Sequence, residues 1–261
     1  MRLPALRPFP AAVLATVLLF TQTNAHAQSC RQADADTART LAQMRHWGSY
    51  NDQYDEAKLA AATQNLHTTL YSYAREPSSW QCTFPLSAKE GLSVVTAADR
   101  RLRAYSWDLM TGGTMHFFNG FLQYRADDGS TRILNNDSNS DAVAIFNADL
   151  GGKHPGYWLV EYTIGSTRDH AQSATLYQIH GNRLVRAKLV QTQSRRTDHL
   201  SFNYDTRSLQ DSDTLKLFRY DPPSRTLSFP VVLPDPEGGS GILTDKHIRY
   251  RFNGRYFVRL K

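Results

Sequence analysis

DRRLRAYSWDLMTGGTMHFFNGFLQY, residues 99–124, is the stretch that decides the fold. Apolar and polar residues alternate through 102–107, the pattern breaks at Gly112-Gly113, and an aromatic-rich run resumes over 115–124. A period of two on both sides of a glycine break predicts two strands and a turn. Polar and aromatic side chains also crowd that turn. Aromatic plates with a few placed polar groups are how many binding pockets are built, so Trp107, Asp108, Thr111, Thr114, His116 and Gln123 are the candidate binding residues. The competing reading is a plain hairpin, with glycines required by the turn and aromatics serving as core.

The same two-residue period continues to the C-terminus. Strands are predicted at 92–96, 143–146, 158–164, 174–180, 184–191, 200–204, 215–220 and 226–232, all rich in β-branched and aromatic residues. Gly181-Asn182 and Asn253-Gly254 suit tight two-residue turns, and Asp128-Gly129 is a further turn signal. In the last hairpin Ile248, Tyr250 and Phe252 alternate up to the turn, and Tyr256, Val258 and Leu260 are expected to continue the apolar face. Arg249, Arg251, Arg255 and Arg259 then fill much of the other, solvated face. Residues 101–108 are echoed at 214–221 and more weakly at 174–180. Repeats of this kind fit propeller-like blades, and a sandwich or barrel of antiparallel meanders fits equally well.

Upstream of residue 85 the period is helical. Residues 33–47 carry Ala35, Ala38, Leu41, Ala42 and Met44, with Asp34 and Asp36 expected in a first turn that favours negative charge. Residues 54–74 place Leu59, Ala62, Leu66, Leu70 and Tyr73 at three- and four-residue steps, and Pro77 ends the run. A polar turn at 48–52 makes an antiparallel hairpin. Cys30 and Cys82 flank that hairpin, and an even cysteine pair in an exported chain is most simply a disulfide.

Export is expected from the first residues. Arg2 and Arg7, an apolar run over 11–20 interrupted only by Thr16, and Ala25-His26-Ala27 form a leader with a cleavage site after Ala27. The expected organisation is a leader at 1–27, a disulfide-clipped helical hairpin at 28–84 and an antiparallel β domain at 85–261. No later segment has the roughly 20 apolar residues needed to span a bilayer. Removing Arg2 and Arg7 leaves 28 basic against 24 acidic side chains, a mild and scattered excess that argues against nucleic acid.

No catalytic or metal motif is anchored in the sequence. G-x-S-x-G is absent, Gly239-Ser240-Gly241 being only a loop of small residues. Asp169-His170 and Asp198-His199 set acid beside imidazole, yet neighbours on a strand point to opposite faces. Asp137, Asn139 and Asp141 alternate like the first ligands of a calcium loop, but Ala142 and Ala148 replace its glycine and glutamate. Asp108, Asp149, Glu161, Asp205 and Asp221 stand near strand ends without a spacing that pairs them for glycoside cleavage.

The YSWD and TGGTMH elements, residues 105–108 and 111–116, resemble a signature of exported bacterial proteins, several from Gram-negative groups. The resemblance covers 99–124 and, less clearly, the final hairpin. It implies an exported β protein and carries over no activity and no catalytic residue. The resulting expectation is a periplasmic or secreted binding protein without cofactor, metal or catalytic residue, whose ligand is a protein partner or an envelope glycan. The alternative is a secreted hydrolase acting on cell-envelope glycan or ester substrates.

Overall fold

Ser29 starts the first helix by accepting from the amide of Gln32 at 3.2 Å, satisfying one of the free amides of its first turn. In the computed structural model, which describes residues 29–152, 154–209, 216–236 and 238–261, helix α1 runs Cys30–Trp47. The expected leader at 1–27 lies outside the described residues. Asp55 caps α2 (Glu56–Arg75) through the amide of Lys58, and a 3-10 turn, Pro77–Gln81, follows. Cys30 and Cys82 are joined as a disulfide, with Cα atoms 5.3 Å apart. Because α1 begins at Cys30 rather than at 33, Asp34 is not in its first turn. It is buried instead, and its carboxylate accepts from the amides of Leu86 and Ser87 at the start of the short α3 (Pro85–Lys89).

The rest of the chain is β, so the protein is mainly β with an N-terminal helical pair, as the period change predicts. Sheet A is a meander of β1 (Ser93–Thr96), β2 (Leu102–Asp108), β3 (Phe118–Arg125) and β4 (Thr131–Asn135). Sheet B contains β5 (Asp141–Ala148), β6 (Gly156–Ile164), β7 (Asp169–His180), β8 (Arg183–Arg186) and β11 (His199–Asp205), in the order β11-β7-β6-β5 with β8 on β7. Sheet C holds β9 (Val190–Gln191), β10 (Arg196–Thr197), β12 (Arg219–Asp221), β13 (Thr226–Leu233), β14 (Ile242–Phe252) and β15 (Phe257–Arg259). Its order is β10-β9-β15-β14-β13-β12, with β15 and β9 parallel.

Side-chain alternation stacks these elements into four layers. On one face of sheet A, Tyr105, Trp107 and Phe121 share a core with Leu41, Met44, Leu66 and Leu70 of the helices. On its other face, Leu102, Ala104, Leu122 and Tyr124 pack against Ile145, Tyr157, Leu159 and Ile179 of sheet B. The reverse face of sheet B, with Trp158, Val160, Ala174 and Leu176, packs on Leu227, Phe229, Tyr250 and Phe257 of sheet C. Each fully buried large apolar side chain contributes about 1.5–3 kcal/mol. The sheets lie as open layers, and none closes on itself. The echoed segments occupy unlike places: β2 and β7 are internal strands, whereas β12 is an edge strand.

Several predicted boundaries move. The β2–β3 register pairs Asp108 with Phe118, so 115–117 belong to a long loop and Gly112-Gly113 is not a tight turn. The single strand expected at 184–191 divides between β8 in sheet B and β9 in sheet C. Residues 214 and 215 of the 214–221 echo lie outside the described residues, and the strand begins at Arg219. Gly181-Asn182 does form a two-residue turn, with His180 opposite Arg183 and Gly181 at φ +58°. The last hairpin pairs Phe252 with Phe257 around 253–256, which puts Phe257 in the core and Val258 on the face of Arg251. The expected apolar face of Tyr256, Val258 and Leu260 is therefore the wrong one.

The disulfide closes a loop with a sequence separation of 52 across both helices. By the loop-entropy estimate this is worth about 4 kcal/mol. A Cys30→Ser, Cys82→Ser variant is expected to lose about that much in denaturant unfolding, with a higher m-value because the uncrosslinked denatured chain exposes more surface. A loss well under about 1 kcal/mol would show that the helical pair needs no clip.

Candidate functional site

The loop at 109–117 is built against the turn between α1 and α2. Gly48 lets Met110 approach, since a Cβ there would stand 2.6 Å from the Met110 Cβ. The Ser49 amide donates to the Met110 carbonyl at 2.8 Å, and its hydroxyl reaches the Gly112 carbonyl at 2.5 Å. Gly112 is required by close approach, because a Cβ would lie 1.8 Å from the Met115 carbonyl oxygen; Gly113 faces open space. Within this frame the His116 Nδ1 and an Asp108 carboxylate oxygen are 2.5 Å apart. The Tyr50 hydroxyl donates to Asp108 at 3.2 Å, and its ring lies 5.0 Å from that of His116. Burial, together with the Asp108 charge, pushes the Tyr50 hydroxyl up to about 12.

The six candidate residues of this stretch separate into three groups. Asp108 and His116 form the half-buried pair just described, and Thr111 and Thr114 are exposed on the loop. Trp107 is fully buried between sheet A and the helices. Gln123 is also fully buried: its amide donates to the Ala74 carbonyl and the Ser79 hydroxyl, both at 2.6 Å, and accepts from Tyr105. One surface does not contain all six.

A different place has the form of a site. Sheet B extends beyond the edge of sheet A, and the face it leaves uncovered changes character there. Along β6 the residues facing sheet A are Tyr157 and Leu159, then Glu161 and Thr163. Register sets Glu161 beside Ser173 and Ser201, and Leu159 beside Thr175 and His199. The 136–140 segment closes one wall, and Tyr177, Leu184 and Arg186 lie along the other side. The result is an open groove of about 540 Å³ with a hydroxyl-rich lining.

Glu161 forms the floor at 3% exposure. Its Oε1 accepts from Asn136 Nδ2 at 2.8 Å and from the Ser138 hydroxyl at 2.5 Å, which leaves Oε2 to face the groove. Burial raises its carboxyl above the ordinary value despite those two donors. Ser140 and Thr163 share a hydrogen bond of 2.7 Å beside it. Across the groove His199 Nδ1 is 3.1 Å from Asp198, whose carboxylate also accepts from Arg186 at 3.2 Å. Burial and the Glu161 charge push Tyr177 up to about 12.

One expectation is corrected by this geometry. Asp198 and His199 do contact each other, because Asp198 sits in the bend before β11, where strand alternation does not apply. The alternating Asp137, Asn139 and Asp141 diverge: Asn139 accepts from the Phe118 amide, Asp141 turns to Ser106, and Asp137 is exposed. Asp137 lines the groove together with the intervening Asn136, Ser138 and Ser140. Among the described residues no cluster of His, Cys, Asp and Glu could hold a metal ion. None of their helices is long and apolar enough to cross a membrane. No protein-family model matches the chain, and no curated protein or solved structure matches it.

The raised Glu161 carboxyl has a stability consequence with a definite sign. Between its unfolded value and its higher folded value the native state holds the extra proton, so this group's contribution falls as pH rises through that window. Glu161→Gln removes the titration while keeping an oxygen for Asn136 and Ser138. The variant is expected to gain stability relative to wild type as pH rises above about 4.5, measured by urea unfolding across the pH range. A pH-independent difference would contradict the assignment.

Proposed function

We propose that the chain is an exported binding protein that takes a polar, hydroxyl-bearing ligand of the envelope-glycan class in the groove between sheets A and B. The observation that carries the reading is the floor of that groove, where a buried carboxyl, held on one oxygen by Asn136 and Ser138, turns the other outward among hydroxyls. Sugar hydroxyls both donate and accept, and Glu161, Thr163, Ser173, Thr175 and Ser201 offer matching partners. Tyr177 and Leu184 add apolar surface for a ring face. Export is supported by the leader pattern at the N-terminus and by the Cys30–Cys82 bridge, which persists in oxidising compartments.

The pairing of His199 with Asp198 across from Glu161, whose carboxyl burial raises above its ordinary value, favours a second reading, hydrolysis of such a glycan or of an ester it carries. The two readings separate in one assay series. Calorimetric titration with peptidoglycan-derived oligosaccharides is expected to show binding without turnover. Ser201→Trp, which fills the groove from an exposed position, is expected to weaken that binding at least about tenfold, or about 1.4 kcal/mol. Equal binding by the variant, or no binding of any oligosaccharide, would remove the groove from consideration. Cleavage of the oligosaccharides that is lost in both Glu161→Gln and His199→Asn would replace binding with hydrolysis.

A further inference from the structure

We propose, resting on the reading of the groove as a glycan site, that its ligand is an acidic glycan whose carboxylate or phosphate is held in a basic cleft continuous with the groove. The cleft, of about 290 Å³, shares Arg186 and His199 with the groove and is lined further by Lys188, Arg195, Arg196 and Asp198. Register builds the shared wall: Tyr177 of β7 stands beside Arg186, and Thr175 beside His199. Beyond Arg186 the chain leaves sheet B for sheet C, and Lys188 is exposed on that crossing. A tight turn between β9 and β10 follows. The Thr192 amide donates to the Arg195 carbonyl at 2.9 Å, and the Thr192 hydroxyl accepts from the Arg195 amide at 3.1 Å. Arg195 and Arg196 thereby join Lys188 in the lining.

Four cationic side chains thus meet one carboxylate in this cleft, and that carboxylate is already engaged. Asp198 accepts from Arg186 at 3.2 Å and lies 3.1 Å from His199 Nδ1. Among the described residues Lys188, Arg195 and Arg196 have no carboxylate within ion-pair distance. Arg196 is held instead by Gln191, 3.3 Å from its Nε, and by the Tyr256 ring 4.5 Å away. It is the shared cavity, and its continuity with the groove, that marks these three among the basic residues of the surface. Guanidinium and ammonium groups converging on one cavity match the oxygens of a carboxylate or phosphate. The same register gives the ligand a direction. Glu161 stands beside Ser173, four residues or roughly 13 Å along β7 from Tyr177 and its neighbour Arg186. The acidic substituent lies at the Arg186 end, and the sugar hydroxyls extend toward Glu161.

Calorimetry of the full chain with matched pairs of oligosaccharides tests this. One pair is a peptidoglycan tetrasaccharide with free carboxylates and its methyl ester. The other is a glycan phosphate and its dephosphorylated form. In at least one pair the acidic member is expected to bind about tenfold tighter. Preference within the first pair identifies a carboxylate as the bound group, and preference within the second a phosphate. Added salt is expected to narrow the gap, because exposed charges are screened. Lys188→Ala with Arg195→Ala is expected to cut the preference at least about threefold, from the loss of two exposed cations. The salt dependence is read on the unaltered chain, so it does not require the variant to fold. Equal binding within both pairs would overturn the proposal while leaving the groove as a site for neutral glycans. A preference untouched by the double variant would overturn it too, as would an acidic peptide bound as tightly as the acidic glycan. Binding of no member of either pair would remove the groove reading as well.

Discussion

A buried guanidinium holds the helical layer to the sheets. Arg103 lies inside β2 at 4% exposure and has no carboxylate partner. Removing an unpaired charge from water is costly unless its donors are satisfied. Here they are. Arg103 donates to the carbonyls of Ser79, Trp80 and Cys82 at 2.9, 2.8 and 3.2 Å, and to the hydroxyl of Thr96 at 2.8 Å. Its planar group lies 5.3 Å from the Trp80 ring. The carbonyls come from the turn that follows α2 and from the cysteine that closes the disulfide. Tyr105 and Gln123 extend the network to Ala74 and Ser79. One side chain thereby fixes the exit of the helical pair on the first sheet.

That attachment has consequences further along the chain. With its odd-numbered β2 residues turned to the helices, sheet A offers Leu102, Ala104, Leu122 and Tyr124 to sheet B. Sheet A covers only part of sheet B, and the strands of sheet B record the limit. Apolar residues occupy both faces of β6 from Tyr157 to Val160, and the covered face becomes polar at Glu161. The groove is the part of sheet B that the first sheet does not reach. Its carboxyl is dry enough to hold its proton more tightly than usual, yet one oxygen is open to a ligand.

Much of this was legible in residue order. The change from a helical to a two-residue period at 85 marks the fold class, and the placement of Cys30 and Cys82 marks the clip. Registers were less legible, because they depend on partners distant in sequence. Phe257 faces the core because it pairs with Phe252, and a two-residue turn at 253–254 would turn it the same way by pairing it with Tyr250, so strand pairing rather than alternation read straight through the turn sets the face. Trp107 and Gln123 stand in the sequence as aromatic and polar groups near a glycine turn, whereas contacts with α2 and its following turn account for their burial. Glu161 gave a weak signal within an apolar run. A lone acid in an otherwise apolar strand was the available clue, and Asn136 and Ser138, which hold it, had none. For His199 the alternation rule does not apply, because Asp198 lies one residue before the strand begins.

The central claim is that Arg103 couples the helical layer to sheet A. Hydrogen exchange followed by mass spectrometry on Arg103→Leu and Arg103→Lys tests it most directly. Faster exchange is expected in α1, α2, the Pro77–Gln81 turn and β1 to β3, with β13 and β14 keeping their protection. Retention of wild-type protection in the helices, or an equal loss across all three sheets, would contradict it.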